Sequence, residues 1–244
     1  MMPALEYLEC DGQRIALRLF RPAHARATPR ACVLFVHGWT GAQDANDVRL
    51  ARVLAREGFL CLSFDLGGHG ESSGGLFDFT LEAFFAQTCA AFDCLQRAGN
   101  GGPVVVCGCS LGGYLSILLT RERPVAALSL RVPANYPDEI FSAPPVGRYI
   151  ESGASRAWRS IGRTADANRA LAALRDFTGP VQLIAAGRDE SIPLQTIRNF
   201  VAAAGEERLD YHLLDEATHT LYEIPAMGKL SFQLLRNWLR ALHP

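Results

Sequence analysis

Short apolar runs alternate with helical periodicities along most of the chain. Residues 5–9 and 14–20 read as two β-strands around Asp11-Gly12, a dipeptide suited to a tight hairpin. Ala31 to Val36 and Phe59 to Phe64 are continuous apolar runs, the pattern of strands buried on both faces. Asp47 to Glu57 sets Val48, Ala51, Val53, Leu54 and Ala55 at helical spacing and meets a fitting stop at Gly58. A Gly-rich loop from Asp65 to Gly75 follows, and Thr80 is placed to cap a helix over 83–97. Beyond it come a strand at 103–107 with a helix at 114–120 and a strand at 125–130. The pattern then predicts a helix at 168–175, a strand at 181–186 and a helix at 194–204 behind Pro193. A short strand at 211–214 and a helix at 225–242 complete it. The alternation predicts an α/β fold: a mostly parallel eight-stranded sheet with helices on both faces.

Two stretches stand outside this rhythm. Arg21 to Arg30 is a polar connection with two prolines. Residues 132–167 carry Pro133, Pro137, Pro144 and Pro145, the aromatics Tyr136, Phe141, Tyr149 and Trp158, and the arginines Arg148, Arg156, Arg159 and Arg163. That stretch is too long for an ordinary connection. It falls where an insertion lies over the carboxyl ends of the strands, the place where open α/β sheets hold ligands. We therefore expect one domain over 1–244 with a small cap or lid at about 132–167; the alternative is an irregular surface excursion.

Composition narrows the classes. The 244 residues are 49% hydrophobic and 20% charged with a net charge of −1, which leaves no electrostatic case for nucleic acid or an anionic membrane as the main partner. The seven cysteines are odd in number and scattered among apolar runs, as expected for buried thiols in a reducing compartment. Cys107 and Cys109 have no second pair to complete a zinc site. With no signal-peptide pattern at the start and no apolar run near a membrane span, a cytoplasmic location is expected.

The candidate chemistry begins at Gly108-Cys109-Ser110-Leu111-Gly112, a G-x-S-x-G between a strand and a helix. So tight a turn presents the Ser110 hydroxyl beside a helix N-terminus, where free N–H groups face a developing negative charge. A serine needs a base, and the base needs orienting. Of six histidines, His24 and His243 lie in polar or terminal stretches, His212 lies in a strand, and His37 and His69 sit in Gly-flanked loops. His219, in a loop between the last strand and the last helix, is the candidate base. Asp189 in Gly187-Arg188-Asp189-Glu190 is the candidate acid, with Glu190 its main competitor and helix capping its ordinary alternative. The two oxyanion donors are expected at the backbone N–H of Leu111 and of Trp39, in His37-Gly38-Trp39-Thr40-Gly41. His37 itself is expected to brace that loop.

With these residues in order, the chain resembles serine hydrolases of the α/β-hydrolase fold. His37-Gly38, Asp65 with Gly68-His69-Gly70-Glu71-Ser72, the Ser110 motif, Gly187-Arg188-Asp189 and Thr218-His219 follow that family's sequence of motifs. The stretch His37-Gly38-Trp39-Thr40 is similar to bacterial feruloyl and cinnamoyl esterases and to relatives of monoacylglycerol lipase. Cys109 departs from the family pattern, which often holds His before the nucleophile. The resemblance implies a Ser110–His219–Asp189 triad that cleaves small or medium carboxylic esters through an acyl-enzyme, with no metal or cofactor. A small-molecule ester or acyl compound would be the substrate. Thioester or peptidase-like acyl hydrolysis is the alternative chemistry, and a non-catalytic binding protein is the alternative class. The arginines of 132–167 fit either an acidic substrate or solvated surface charge, the second being ordinary.

Overall fold

The computed structural model describes residues 2–22, 29–43 and 45–242. His24, His243 and most of the 21–30 connection lie outside the described residues. The expected hairpin forms as β1 (Glu6–Cys10) and β2 (Gln13–Phe20), antiparallel, with Asp11 and Gly12 both at positive φ in the turn. β2 then pairs antiparallel with β4 (Leu60–Phe64). From there the sheet is parallel through β3 (Cys32–Val36), β5 (Val104–Cys109), β6 (Val125–Arg131), β7 (Val181–Ala186) and β8 (Leu209–Leu214). The strand order is β1-β2-β4-β3-β5-β6-β7-β8. The mostly parallel eight-stranded sheet is the one the alternating elements predicted, and it is the α/β-hydrolase fold that the resemblance implied.

Strand side chains alternate between two cores, as period-2 geometry requires. Leu34, Val36, Leu60, Leu62 and Val106 pack against α2 (Leu81–Ala98), α3 (Leu111–Glu122), α6 (Arg169–Asp176) and α7 (Leu194–Ala204). Val33, Phe35, Cys61, Val105 and Cys107 face α1 (Ala45–Arg56) and α8 (Pro225–Leu242) on the other side. The cap signal at Thr80 acts as read, accepting a hydrogen bond from the Ala83 N–H at 3.2 Å, and the structure adds a second cap at Asn168, whose side chain accepts from Leu171 at 3.0 Å.

Four elements begin two or three residues before the periodic reading: α1, α2, α3 and β8. α3 begins at Leu111 rather than Tyr114, because its first turn holds Gly112 and Gly113, poor helix formers that blur the pattern. β8 begins at Leu209, where exposed edge positions break the apolar run. Within 132–167 the chain forms a 3-10 turn at Asp138–Ile140 and two short helices, α4 (Val146–Glu151) and α5 (Ala154–Arg159). No helix among the described residues is long and apolar enough to cross a membrane.

Candidate active site

Ser110 occupies the bend between β5 and α3 with φ 51° and ψ −115°, a conformation that costs a non-glycine residue strain. The surrounding backbone holds it there. Its N–H donates to the Arg131 carbonyl at 3.0 Å, and its carbonyl accepts from Gly113 and Ala134, each at 2.9 Å. The glycines of the motif answer to close approach. A Cβ on Gly108 would sit 2.4 Å from the Gly112 oxygen, and one on Gly112 would sit 2.1 Å from the Val36 oxygen. A larger residue at either place would push strand and helix apart and carry Ser110 with them.

His219 follows β8 and reaches this bend. Its Nε2 lies 3.1 Å from Ser110 Oγ and its Nδ1 lies 2.9 Å from Asp189 Oδ2. An ionised carboxylate only accepts, so Nδ1 donates to Asp189 and Nε2 is free to accept from the serine hydroxyl. The Asp189 side chain is 3% exposed. Its second oxygen accepts from the N–H groups of Ser191 at 2.8 Å and Ile192 at 2.7 Å. The carboxylate thus braces the turn before α7 and holds the imidazole at once, while the cap position of that helix is Pro193. Glu190 is exposed, and its carbonyl takes a hydrogen bond from Arg156. The acid and histidine loops are tied by Gly187 N–H to Leu214 and Arg188 N–H to Ala217, both 2.9 Å.

The loop after β3 closes the other side. His37 braces it as expected: Nε2 accepts from the Leu66 N–H at 2.9 Å, and Nδ1 donates to the Gly38 carbonyl at 2.7 Å. Gly38 passes so near the nucleophile that a Cβ built on it would lie 3.1 Å from the Ser110 Cβ. Among the described residues, neither the Trp39 N–H nor the Leu111 N–H donates to a protein acceptor. The Trp39 indole packs edge-on against Phe77 and His69 and lies beneath Gly147 of α4. Asp65 anchors this loop from below, accepting from the N–H groups of Gln43 and Glu71. His212 pairs with Asp210 on the edge strand at 2.9 Å.

His69 is buried in this wall. Its Nδ1 donates to the Gly67 carbonyl at 2.9 Å, and rings of His37, Trp39 and Phe84 surround it. Burial holds its pKa below the ordinary histidine value, against smaller opposing effects of the Gly67 and Leu66 backbone and of Asp65. The unfolded chain therefore binds a proton that the folded chain resists. Stability is full above about pH 6.5 and falls as pH drops toward the lowered folded value. We expect the urea midpoint to fall between neutral pH and about pH 5.5, and to fall less in His69→Phe.

Sequence reading missed a brace behind these loops. Arg131 closes β6 with its side chain 2% exposed, and its Nη2 lies 2.7 Å from Asp47 on α1, 4% exposed. Its Nη1 donates to the Tyr222 hydroxyl at 2.9 Å, three residues past His219. Its own carbonyl holds the Ser110 N–H. One arginine therefore links the nucleophile bend, the helix after the Trp39 loop and the histidine loop. The only signal in the sequence is a charged residue ending an apolar strand. Removing one partner of a buried pair strands the other charge. Arg131→Met is expected to cost about 3–5 kcal/mol of unfolding free energy. In Arg131→Met/Asp47→Leu, which removes both charges, part of that loss should return; equal losses in denaturant melts would count against the brace.

Residues 132–167 are tied down on both sides of Ser110. The Val146 N–H donates to the Phe79 carbonyl at 3.0 Å on the Trp39 side. On the acid-loop side, Thr196 donates to the Arg159 carbonyl at 2.9 Å and Asn199 to the Ile161 carbonyl at 3.0 Å.

Comparison with known proteins adds four findings. The model of the family described as "Serine aminopeptidase, S33" matches residues 27–169. Human monoglyceride lipase is 32% identical over 120 residues, a stretch covering 48% of this chain and 38% of that protein's length. Est1E from Butyrivibrio proteoclasticus, solved with ferulic acid bound, superposes with a TM-score of 0.75 at 19% identity, covering 97% of this chain and 98% of its own. The thioesterase domain from the curacin biosynthetic pathway superposes with a TM-score of 0.66 at 19% identity, covering 97% and 99%.

Proposed function

We propose, on the premise that this chain belongs to the serine aminopeptidase S33 family, that it is a serine hydrolase acting on small or medium carboxylic esters. The observation that carries the reading is the hydrogen-bonded series Ser110 Oγ, His219 Nε2 and Nδ1, Asp189 Oδ2, at 3.1 and 2.9 Å. The N–H groups of Trp39 and Leu111 are the proposed oxyanion donors, since Gly38 passes beside Ser110 and Leu111 follows it. The similarity to monoglyceride lipase favours ester over amide cleavage.

In this mechanism Ser110 Oγ attacks the ester carbonyl while His219 Nε2 takes its proton. Asp189 keeps the proton on Nδ1 and stabilises the imidazolium. The tetrahedral oxyanion accepts from the Trp39 and Leu111 N–H groups. The C–O bond to the alcohol breaks as the alcohol oxygen takes the proton from Nε2, leaving an acyl-Ser110. Water, deprotonated by His219, then attacks the acyl carbon and releases the acid, and Ser110 recovers its proton. Residues 132–167 act as a cap that bounds the substrate. The buried Cys32, Cys61 and Cys107 fit a reducing, cytoplasmic setting.

A fluorophosphonate probe is expected to label Ser110 in the folded protein. Absence of labelling would favour a binding protein built on the same scaffold. A chain-length series of p-nitrophenyl esters should be hydrolysed with higher kcat/KM than acyl-CoA or aminoacyl substrates. The reverse order would move the assignment to thioester or peptidase-like chemistry.

A further inference from the structure

Of the four arginines in 132–167, Arg159 is buried at 6% exposure, against the ordinary expectation of a solvated charge. Its Nε donates to the Asn135 carbonyl at 3.0 Å, and its guanidinium lies 4.6 Å from the centre of the Tyr136 ring. Its Nη2 is buried and has no hydrogen-bond partner among the described residues, and no carboxylate there pairs with it. The contrast is with a cleft of about 750 Å³ beside α2 and α3. There Arg121, Arg123 and Arg169 are each matched by an aspartate, at 2.7, 2.7 and 3.0 Å.

A second donor stands beside Arg159. Asn135 is 1% exposed, and its Oδ1 accepts from the Tyr136 N–H at 3.0 Å and from Asn168 Nδ2 at 2.7 Å. Those bonds fix which end of the amide is oxygen. The remaining Nδ2 is buried without a partner, as is the hydroxyl of Tyr114, whose ring meets Tyr136 edge-on at 5.0 Å. A guanidinium never loses its charge in a protein, and burying it unmatched is costly. Buried donors without acceptors add to that cost.

The position of these groups relates them to the nucleophile. Ala134, next to Asn135, donates its N–H to the Ser110 carbonyl, and Pro133 packs on Gly113 at the start of α3. The Arg159 carbonyl is held by Thr196 while its guanidinium points back to Asn135. The charge thus lies between α5 and the strand-end segment that touches the Ser110 bend.

We propose that Arg159 Nη2 and Asn135 Nδ2 form a subsite for a carboxylate carried by the substrate, so that the preferred esters bear a second, ionised acid group. The proposal rests on the hydrolase reading for what that carboxylate is attached to. Arginine suits a carboxylate because its planar donors match the two oxygens.

The test compares p-nitrophenyl hemi-esters of succinate, adipate and suberate with their methyl-capped neutral counterparts, and the hexanoyl ester of 4-hydroxybenzoate with that of its methyl ester. The first set places the anion on the acyl side and the second on the alcohol side. Wild type is expected to favour the anionic member of one set by about tenfold or more in kcat/KM. Arg159→Met should collapse that ratio. Asn135→Asp keeps the oxygen that Tyr136 and Asn168 use and sets a carboxylate beside Arg159. It should collapse the ratio without lowering the melting temperature, which guards against a variant that merely misfolds. Calorimetry with free adipate and suberate reads the subsite without turnover. Dicarboxylate binding without Ser110 labelling would overturn the hydrolase reading and keep the subsite. A labelled, active enzyme with neither dicarboxylate binding nor an anionic preference would overturn the subsite.

Discussion

Ser110→Ala is expected to lower kcat on p-nitrophenyl esters by a factor on the order of a million, with the melting temperature little changed. The variant removes the one oxygen placed 3.1 Å from His219 Nε2. It keeps the backbone bonds from Gly113 and Ala134 that hold the bend. Alanine has to adopt the same positive φ as serine, so the strain persists and the fold gains no relief. The proposed Trp39 and Leu111 donors are untouched by the change, and the residual rate should be the one they support with water as nucleophile. Steady-state kinetics beside a thermal melt provide the check. Retention of most of the turnover would remove Ser110 from the mechanism. A large fall in melting temperature would make the loss of activity structural.

Asp189→Asn should lower kcat about ten-thousandfold while KM moves much less. The N–H groups of Ser191 and Ile192 both donate to Oδ1, and this demand persists in the variant. They will keep the amide oxygen on their side. The amide nitrogen then faces His219 Nδ1, where Oδ2 stood. Two donors cannot share that contact, so the imidazole moves its proton to Nε2 and can no longer accept from Ser110. The loss comes from the wrong tautomer in a fold that stays intact. Glu190→Gln is the matched control, because the Glu190 residue is exposed and its bond to Arg156 is made by the backbone carbonyl. It should retain kcat within a fewfold of wild type. If Glu190→Gln lost more activity than Asp189→Asn, the acid would be reassigned.

The elements that read most directly from the sequence are those whose signal is local. A continuous apolar run marks a strand covered on both faces, and β3, β4 and β5 run where Ala31 to Val36, Phe59 to Phe64 and 103–107 led. Thr80 caps a helix because a side chain two or three positions from an N–H needs no distant partner. The start of α3 was less legible, since what holds Gly112 and Gly113 in a helix is the close approach of the β3 carboxyl end. Residues 132–167 were legible as a break in pattern and as four arginines. Which of those is buried was not: Arg148, Arg156 and Arg163 sit in similar local sequence, while only Arg159 is drawn beneath by the Asn135 carbonyl and the Tyr136 ring.

By itself the sequence determined the α/β fold class, the alternation of elements and the chain order of Ser110, Asp189 and His219, because periodicity and turn chemistry act over a few residues. The tertiary structure alone decided that Asp189 rather than Glu190 faces the imidazole. It also decided that Arg131 joins Asp47 to Tyr222 behind the nucleophile, and that Arg159 lies buried without a counter-ion among the described residues. Each of those outcomes depends on distances between residues far apart in the chain. Charge pairing and desolvation follow such distances, and no local pattern records them.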